Sequence, residues 1–225
     1  KIYNSNMEDK FCYLERDDFY FDKILKEAIS DEMKAFILYK YKKACAYIIF
    51  GLYEDNIEIR ECMALDSISY KEILTLIYGY RDYYKNVNLA SPNNSNIEFL
   101  FENQLNIEKI IKPFMMIRIL NPLAIFKNLK LENHNIKIYI EDKILKENTG
   151  LYHFLNKKFT FYELPVEKSI YDLRIDIADL VFLVTGYFSI DDLVKIGKID
   201  ISNKETLRKL KRIFSKKNSY LYEFI

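Results

Sequence analysis

Between positions 35 and 65 the chain holds three runs rich in β-branched and aromatic residues, 35–41, 44–53 and 57–65. They are separated only by Tyr41-Lys42-Lys43 and Glu54-Asp55-Asn56, breaks long enough for a hairpin turn and nothing more. This spacing predicts a three-stranded antiparallel meander. Ile57 and Ile59 alternate with Glu58 and Arg60, as in a strand with one wet face. The middle run, Ala44-Cys45-Ala46-Tyr47-Ile48-Ile49-Phe50, is apolar on both faces, so it is the buried strand.

Helices frame this meander. Residues 17–29 carry Phe21, Ile24, Leu25 and Ala28 on one helical face after an acidic pair suited to a first turn. Ser69-Tyr70-Lys71-Glu72 matches a capping box, followed by a stripe of Ile73, Leu74, Ile77 and Tyr78. A strand at 87–90 and a lesser helix around 97–105 complete the first half.

After Pro113 the pattern restarts. Residues 114–120 read as a strand and 122–129 as a short helix, with strands at 136–140, 151–155 and 159–164 and a hairpin turn near Asn148-Thr149-Gly150. A further strand is expected at 171–175, then a helix at 176–185 closed by Gly186, because glycine adopts the left-handed cap conformation without steric penalty. Ser189-Ile190-Asp191-Asp192 opens another helix that Gly197 closes. Ser202-Asn203-Lys204-Glu205 starts a last one, with Leu207, Leu210, Ile213 and Phe214 on one side.

With 225 residues, half of them hydrophobic, the chain can bury one large core or two modest ones. Five Gly and four Pro leave little room for a flexible tether, so two abutting domains fit best. The net charge of +1 gives no global field favouring nucleic acid or an anionic membrane, and neither partner is expected. No apolar run is long enough to cross a bilayer and no signal peptide opens the chain, so it reads as cytoplasmic. The chain begins at Lys1 instead of Met and is read as a fragment. Cys12, Cys45 and Cys62 show no paired spacing, and the last two sit in strand-like runs where a thiol is a small core hydrophobe.

Catalytic patterns are sparse. His134 and His153 lack a nearby Glu-x-x-His or Cys partner, and the serines lack a glycine-flanked elbow. Asp191 and Asp192 read as helix-start charge. The basic residues from Arg208 to Lys217 alternate with apolar positions, as on the wet face of a core-facing helix.

Several segments together resemble a known family. They are Pro-Phe-Met-Met-Ile-Arg-Ile-Leu-Asn-Pro at 113–122, Asp-Leu-Arg-Ile-Asp-Ile-Ala-Asp-Leu at 172–180, Thr-Gly-Tyr-Phe-Ser at 185–189, Leu-Val-Lys-Ile-Gly-Lys-Ile at 193–199 and Tyr-Leu-Tyr-Glu-Phe-Ile at 220–225. In this order they resemble the C-terminal portion of GNAT-superfamily N-acetyltransferases of the enhanced-intracellular-survival type. The resemblance implies an α+β chain: a degenerate GNAT-like mixed sheet with flanking helices at 1–112, then a sterol-carrier-protein-like α+β domain at 113–225. It implies transfer of acetyl from acetyl-coenzyme A to an amine such as an aminoglycoside or lysine, in a homo-oligomer. This portion would shape the acceptor pocket.

A GNAT enzyme holds the coenzyme's pyrophosphate on backbone N–H groups of a glycine-rich turn. The matching span, Leu65-Asp66-Ser67-Ile68-Ser69-Tyr70, has no glycine and places a carboxylate there. No coenzyme is therefore expected in this chain alone, and acetyl-coenzyme A belongs to the full-length enzyme. The resemblance also makes the terminal carboxylate, here on Ile225, the base toward the amine; the family usually ends on an aromatic residue. A different class, a binding module for a lipid or other apolar ligand, stays open, and an apolar cavity beside the second sheet would favour it.

Overall fold

The computed structural model describes residues 1–92, 95–112, 116–163 and 171–220. It divides into two compact units, one spanning residues 1–114 and also taking in Tyr220, the other spanning 115–219.

The first unit runs α1 (Ile2–Met7), α2 (Asp18–Ser30), β1 (Lys34–Lys40), β2 (Lys43–Tyr53), β3 (Asn56–Ala64), α3 (Ser67–Tyr78) and β4 (Asn86–Leu89). The expected meander is present: β1, β2 and β3 are antiparallel in sequence order, and β4 joins β3 in parallel. Tyr41 and Lys42 both take left-handed backbone angles, the geometry of a two-residue hairpin loop. β2 is covered on both faces. Ala46, Ile48 and Phe50 meet Ile73 and Ile77 of α3, whereas Ile49 meets Ile24 and Ala28 of α2.

A bulge in β3 changes which side chains reach which face. Ile49 stands opposite Glu61 and Phe50 opposite Ile59, so Arg60 is an extra residue in the ladder. Before it, Ile57 and Ile59 face α3. After it, Met63 faces α1, packing against Ile2, Tyr3 and Met7. Simple alternation would have kept all three on one side.

Two expectations for this half are corrected. The cap of α3 is Asp66, not Ser69, because the Asp66 side chain reaches the Ser69 N–H and the helix starts three residues earlier. The lesser helix at 97–105 is two 3-10 turns, Ile97–Leu100 and Gln104–Asn106, since Phe101 is extended and interrupts them. The short α1 lacked any readable stripe.

The second unit runs α4 (Pro122–Asn128), β5 (Ile136–Glu141), β6 (Gly150–Leu155), β7 (Lys158–Tyr162), β8 (Leu173–Asp176), α5 (Ile177–Thr185), α6 (Ile190–Lys195), β9 (Ile199–Ile201) and α7 (Lys204–Ile213). The sheet order is β7-β6-β5-β8-β9, with β5 and β8 parallel and the other pairs antiparallel. Its core joins Ile138, Ile140 and Leu173 of the sheet to Leu180, Leu183, Leu193 and Leu210 of the helices. Gly186 closes α5 in the left-handed region, and a Cβ there would stand 2.6 Å from the Lys217 Cβ.

The strand expected at 114–120 is not formed in its described part, 116–120. Arg118 there is tied to Asp142 at 2.7 Å, and Ile119 enters the core without sheet pairing. The turn near Asn148 belongs to a longer connection between β5 and β6. β9 is three residues long, too short to show a period in the sequence.

Candidate functional site

The span that the family resemblance sets against a coenzyme-cradling turn, 65–70, forms the start of α3. Asp66 Oδ1 accepts from the Ser69 N–H at 2.7 Å and Oδ2 from the Ser69 hydroxyl at 3.0 Å. Both donors, with the Lys40 charge, hold the Asp66 carboxyl below the usual carboxylate range. Glu72 does not return to the helix start; it pairs with Lys40 at 2.8 Å. The N-terminus of α3 thus carries its own anion.

A second polar cluster lies on the α2 face of the same sheet. The Arg16 guanidinium donates to both Glu61 oxygens at 2.8 and 3.0 Å, and both side chains are almost fully buried. The Tyr47 hydroxyl donates to the same carboxylate, and the guanidinium lies 4.0 Å above the Tyr3 ring. Burial, then the Glu61 charge, pushes the Tyr47 hydroxyl well above its ordinary pKa. The sequence reading missed this cluster. The bulge at Arg60 carries Glu61 to the α2 face, and alternation alone cannot reveal that.

Tyr220 packs beside these residues, against the group formed by Ile2, Tyr3, Met7 and Met63. Its N–H donates to the Phe11 carbonyl at 2.8 Å. Ile225, assigned as the base through its carboxylate, lies outside the described residues.

The model of the acetyltransferase (GNAT) domain matches residues 12–119, and that of the sterol carrier protein domain matches residues 122–222. The chain therefore pairs a GNAT-type domain with a sterol-carrier-type domain. Solved structures agree on the fold. A probable N-acyltransferase from Enterococcus faecalis V583 has a TM-score of 0.72 and 18% identity, covering 99% of this chain and 58% of that one. A GCN5-related N-acetyltransferase from Anabaena variabilis gives 0.68 and 20%, covering 100% and 58%. Eis1 from Mycobacterium abscessus gives 0.62 and 12%, covering 93% and 55%. The chain thus spans little more than half the length of these relatives. No curated protein matches the sequence.

In the sterol-carrier-type domain an aromatic cluster packs against the sheet. Phe126, fully buried, meets Tyr152 and Phe154 edge-on at centroid distances of 5.4 and 5.6 Å. That packing works against an apolar tunnel at this point. Arg118, from the most family-like segment, braces the β5–β6 connection. Asp142 accepts from Arg118, from the Ile144 and Leu145 N–H groups and from the Asn148 amide. Burial alone would raise its pKa, but hydrogen bonds from Asn148, Leu145, Arg118 and Ile144 outweigh it and hold Asp142 far below the usual carboxylate range.

The remaining candidates have structural partners. Asp192 completes a capping box with Ser189, and Asp191 pairs with Lys211 at 2.7 Å. Burial, then the Lys137 charge, lowers the His153 pKa despite Asp172. Among the described residues no His, Cys, Asp and Glu group could hold a metal ion, and no helix is long and apolar enough to cross a membrane. No disulfide joins the three cysteines, and Cys45 is buried.

Proposed function

We propose that this chain is the C-terminal part of an N-acetyltransferase acting on an amine such as an aminoglycoside or a lysine side chain, with the coenzyme held by a domain outside it. The observation supporting this reading is the start of α3, where Asp66 takes the donors a coenzyme phosphate needs. The two domains, divided at Lys112-Pro113, shape the acceptor pocket and supply contacts between copies of the enzyme. Isothermal titration of this chain with acetyl-coenzyme A should give no saturable heat. Micromolar binding, about 8 kcal/mol, overturns the assignment of the coenzyme to another domain.

The base toward the amine is the Ile225 carboxylate. The reading rests on the family resemblance of the segment 220–225. A carboxylate suits the task, since burial can raise its pKa toward the working pH. In the longer enzyme, semisynthetic amidation of the C-terminus keeps every side chain and removes only the charge. Turnover should fall about 10²- to 10⁴-fold while coenzyme affinity holds. Unchanged turnover sinks the role of Ile225.

A further inference from the structure

The buried Arg16–Glu61 pair fastens a whole segment of chain, not only two side chains. α1 packs Ile2, Tyr3 and Met7 against Met63 of β3, and its Asn6 amide donates to the Ala64 carbonyl at 3.1 Å. The Tyr3 hydroxyl donates to the Leu14 carbonyl at 2.7 Å, which ties α1 to the segment leading into α2. Arg16 ends that segment. Glu61 of β3 holds it there, and its guanidinium lies over the Tyr3 ring. The pair therefore clamps α1 and residues 11–16 to the sheet as one piece.

An ion pair this deep adds little stability over apolar side chains of similar size, because desolvation offsets the attraction. What it adds is direction. The guanidinium fork fits a carboxylate in a fixed plane, so residues 11–16 are held in position as well as covered.

The clamped piece receives the end of the chain. The Tyr220 N–H donates to the Phe11 carbonyl at 2.8 Å, inside the held segment. The half-buried Tyr220 ring packs on Ile2, Tyr3, Met7 and Met63, as does Tyr47, the second donor to Glu61. Tyr220 belongs to the same compact unit as all of these residues.

We propose that the Arg16–Glu61 pair is a positioning device for the C-terminal tail: by clamping residues 11–16 and α1 it makes a rigid seat for Tyr220, and so fixes where the tail leaves the GNAT-type domain. Its bearing on acetyl transfer rests on the reading that the Ile225 carboxylate is the base.

Amide hydrogen exchange at Tyr220, with the β2 amides as internal control, tests the seat. Arg16→Leu, Glu61→Leu and Tyr47→Phe together remove the clamp and keep an apolar core, whereas Tyr3→Phe alone unties α1 from Leu14. In each variant the Tyr220 amide should exchange about tenfold faster while β2 is unchanged. Unchanged exchange at Tyr220 in both overturns the proposal. So does a gain shared equally by β2, which would make the pair an ordinary stabiliser of the sheet. In the longer enzyme the triple replacement should lower turnover about 10²-fold, the cost of a misplaced reacting group, with coenzyme affinity kept. In enzyme already amidated at its C-terminus the same replacement should cost nothing further, because the group it positions is gone. A full second loss there overturns the positioning role. If amidation alone leaves turnover unchanged while Tyr220 exchange rises in the variants, the seat stands and only the assignment of Ile225 as the base fails.

Discussion

Each domain pairs a buried carboxylate with an arginine, and the two pairs are built differently. In the GNAT-type domain Glu61 is served by side chains distant in sequence, Arg16 and Tyr47, with both ends of the ion pair buried. In the sterol-carrier-type domain Asp142 is buried too, but two backbone N–H groups and Asn148 serve it from within six residues, and Arg118 is 35% exposed. The first carboxylate depends on its arginine; the second has a local set of donors and uses the arginine as a brace. A buried ion pair is worth little over an apolar substitute, yet losing one partner is expensive because the other charge stays buried.

The sharpest way to break this comparison is to remove each arginine. Arg16→Leu should cost about 3–5 kcal/mol in urea denaturation, the penalty for a stranded buried charge. Arg118→Leu should cost about 1 kcal/mol or less, the range for a partly exposed pair. Replacing Arg16, Glu61 and Tyr47 together with Leu, Leu and Phe should recover most of the first loss. Equal losses for the two single variants would mean that the local donors around Asp142 do not compensate for its arginine.

A smaller effect separates the domains by pH. The depressed Asp142 pKa contributes stability that is fully present above the unfolded value of about 3.9 and is lost as pH falls through the folded value. The raised Tyr47 pKa acts in the other direction: its contribution is present below about 10 and is lost as pH rises above that. Loss of the Asp142 contribution should therefore appear in acid and loss of the Tyr47 contribution in alkali. Asp142→Asn should cost about 1–3 kcal/mol at pH 7, because its amide nitrogen cannot accept the N–H donors. It should also flatten the acid limb of the urea midpoint below pH 4. An acid limb that persists in this variant would point to another carboxylate.

The same contrast decides what could be read from sequence. The meander was legible because its breaks are short and β2 is apolar on both faces, a pattern local to about thirty residues. The carboxylate at the start of α3 was legible from Asp66, again a local feature. Glu61 was not, because the bulge at Arg60 shifts it by one register and its partner Arg16 comes 45 residues earlier. Arg118 was noticed for its family resemblance, but its partner Asp142 emerges only when residues 116–120 forgo sheet pairing. Cap assignment failed at Ser69 for a simpler reason: two acceptors competed within four residues, and the charged one won.

The smallest predicted effects concern those caps. Asn121 caps α4 by accepting the Ala124 N–H at 3.1 Å, and Asn121→Ala should cost about 1 kcal/mol. Because Asn121 does not titrate, that cost should be the same at pH 3 and pH 7. Asp66 performs the same task with a charge. Its depressed pKa makes the contribution present above the unfolded value and lost as pH falls through the folded one, so Asp66→Asn should matter less in acid than at pH 7. Thermal midpoints of both variants at the two pH values supply the comparison. If Asp66→Asn keeps its full effect at low pH, the carboxylate charge is not what holds the start of α3, and the electrostatic argument against a coenzyme phosphate there loses its main support.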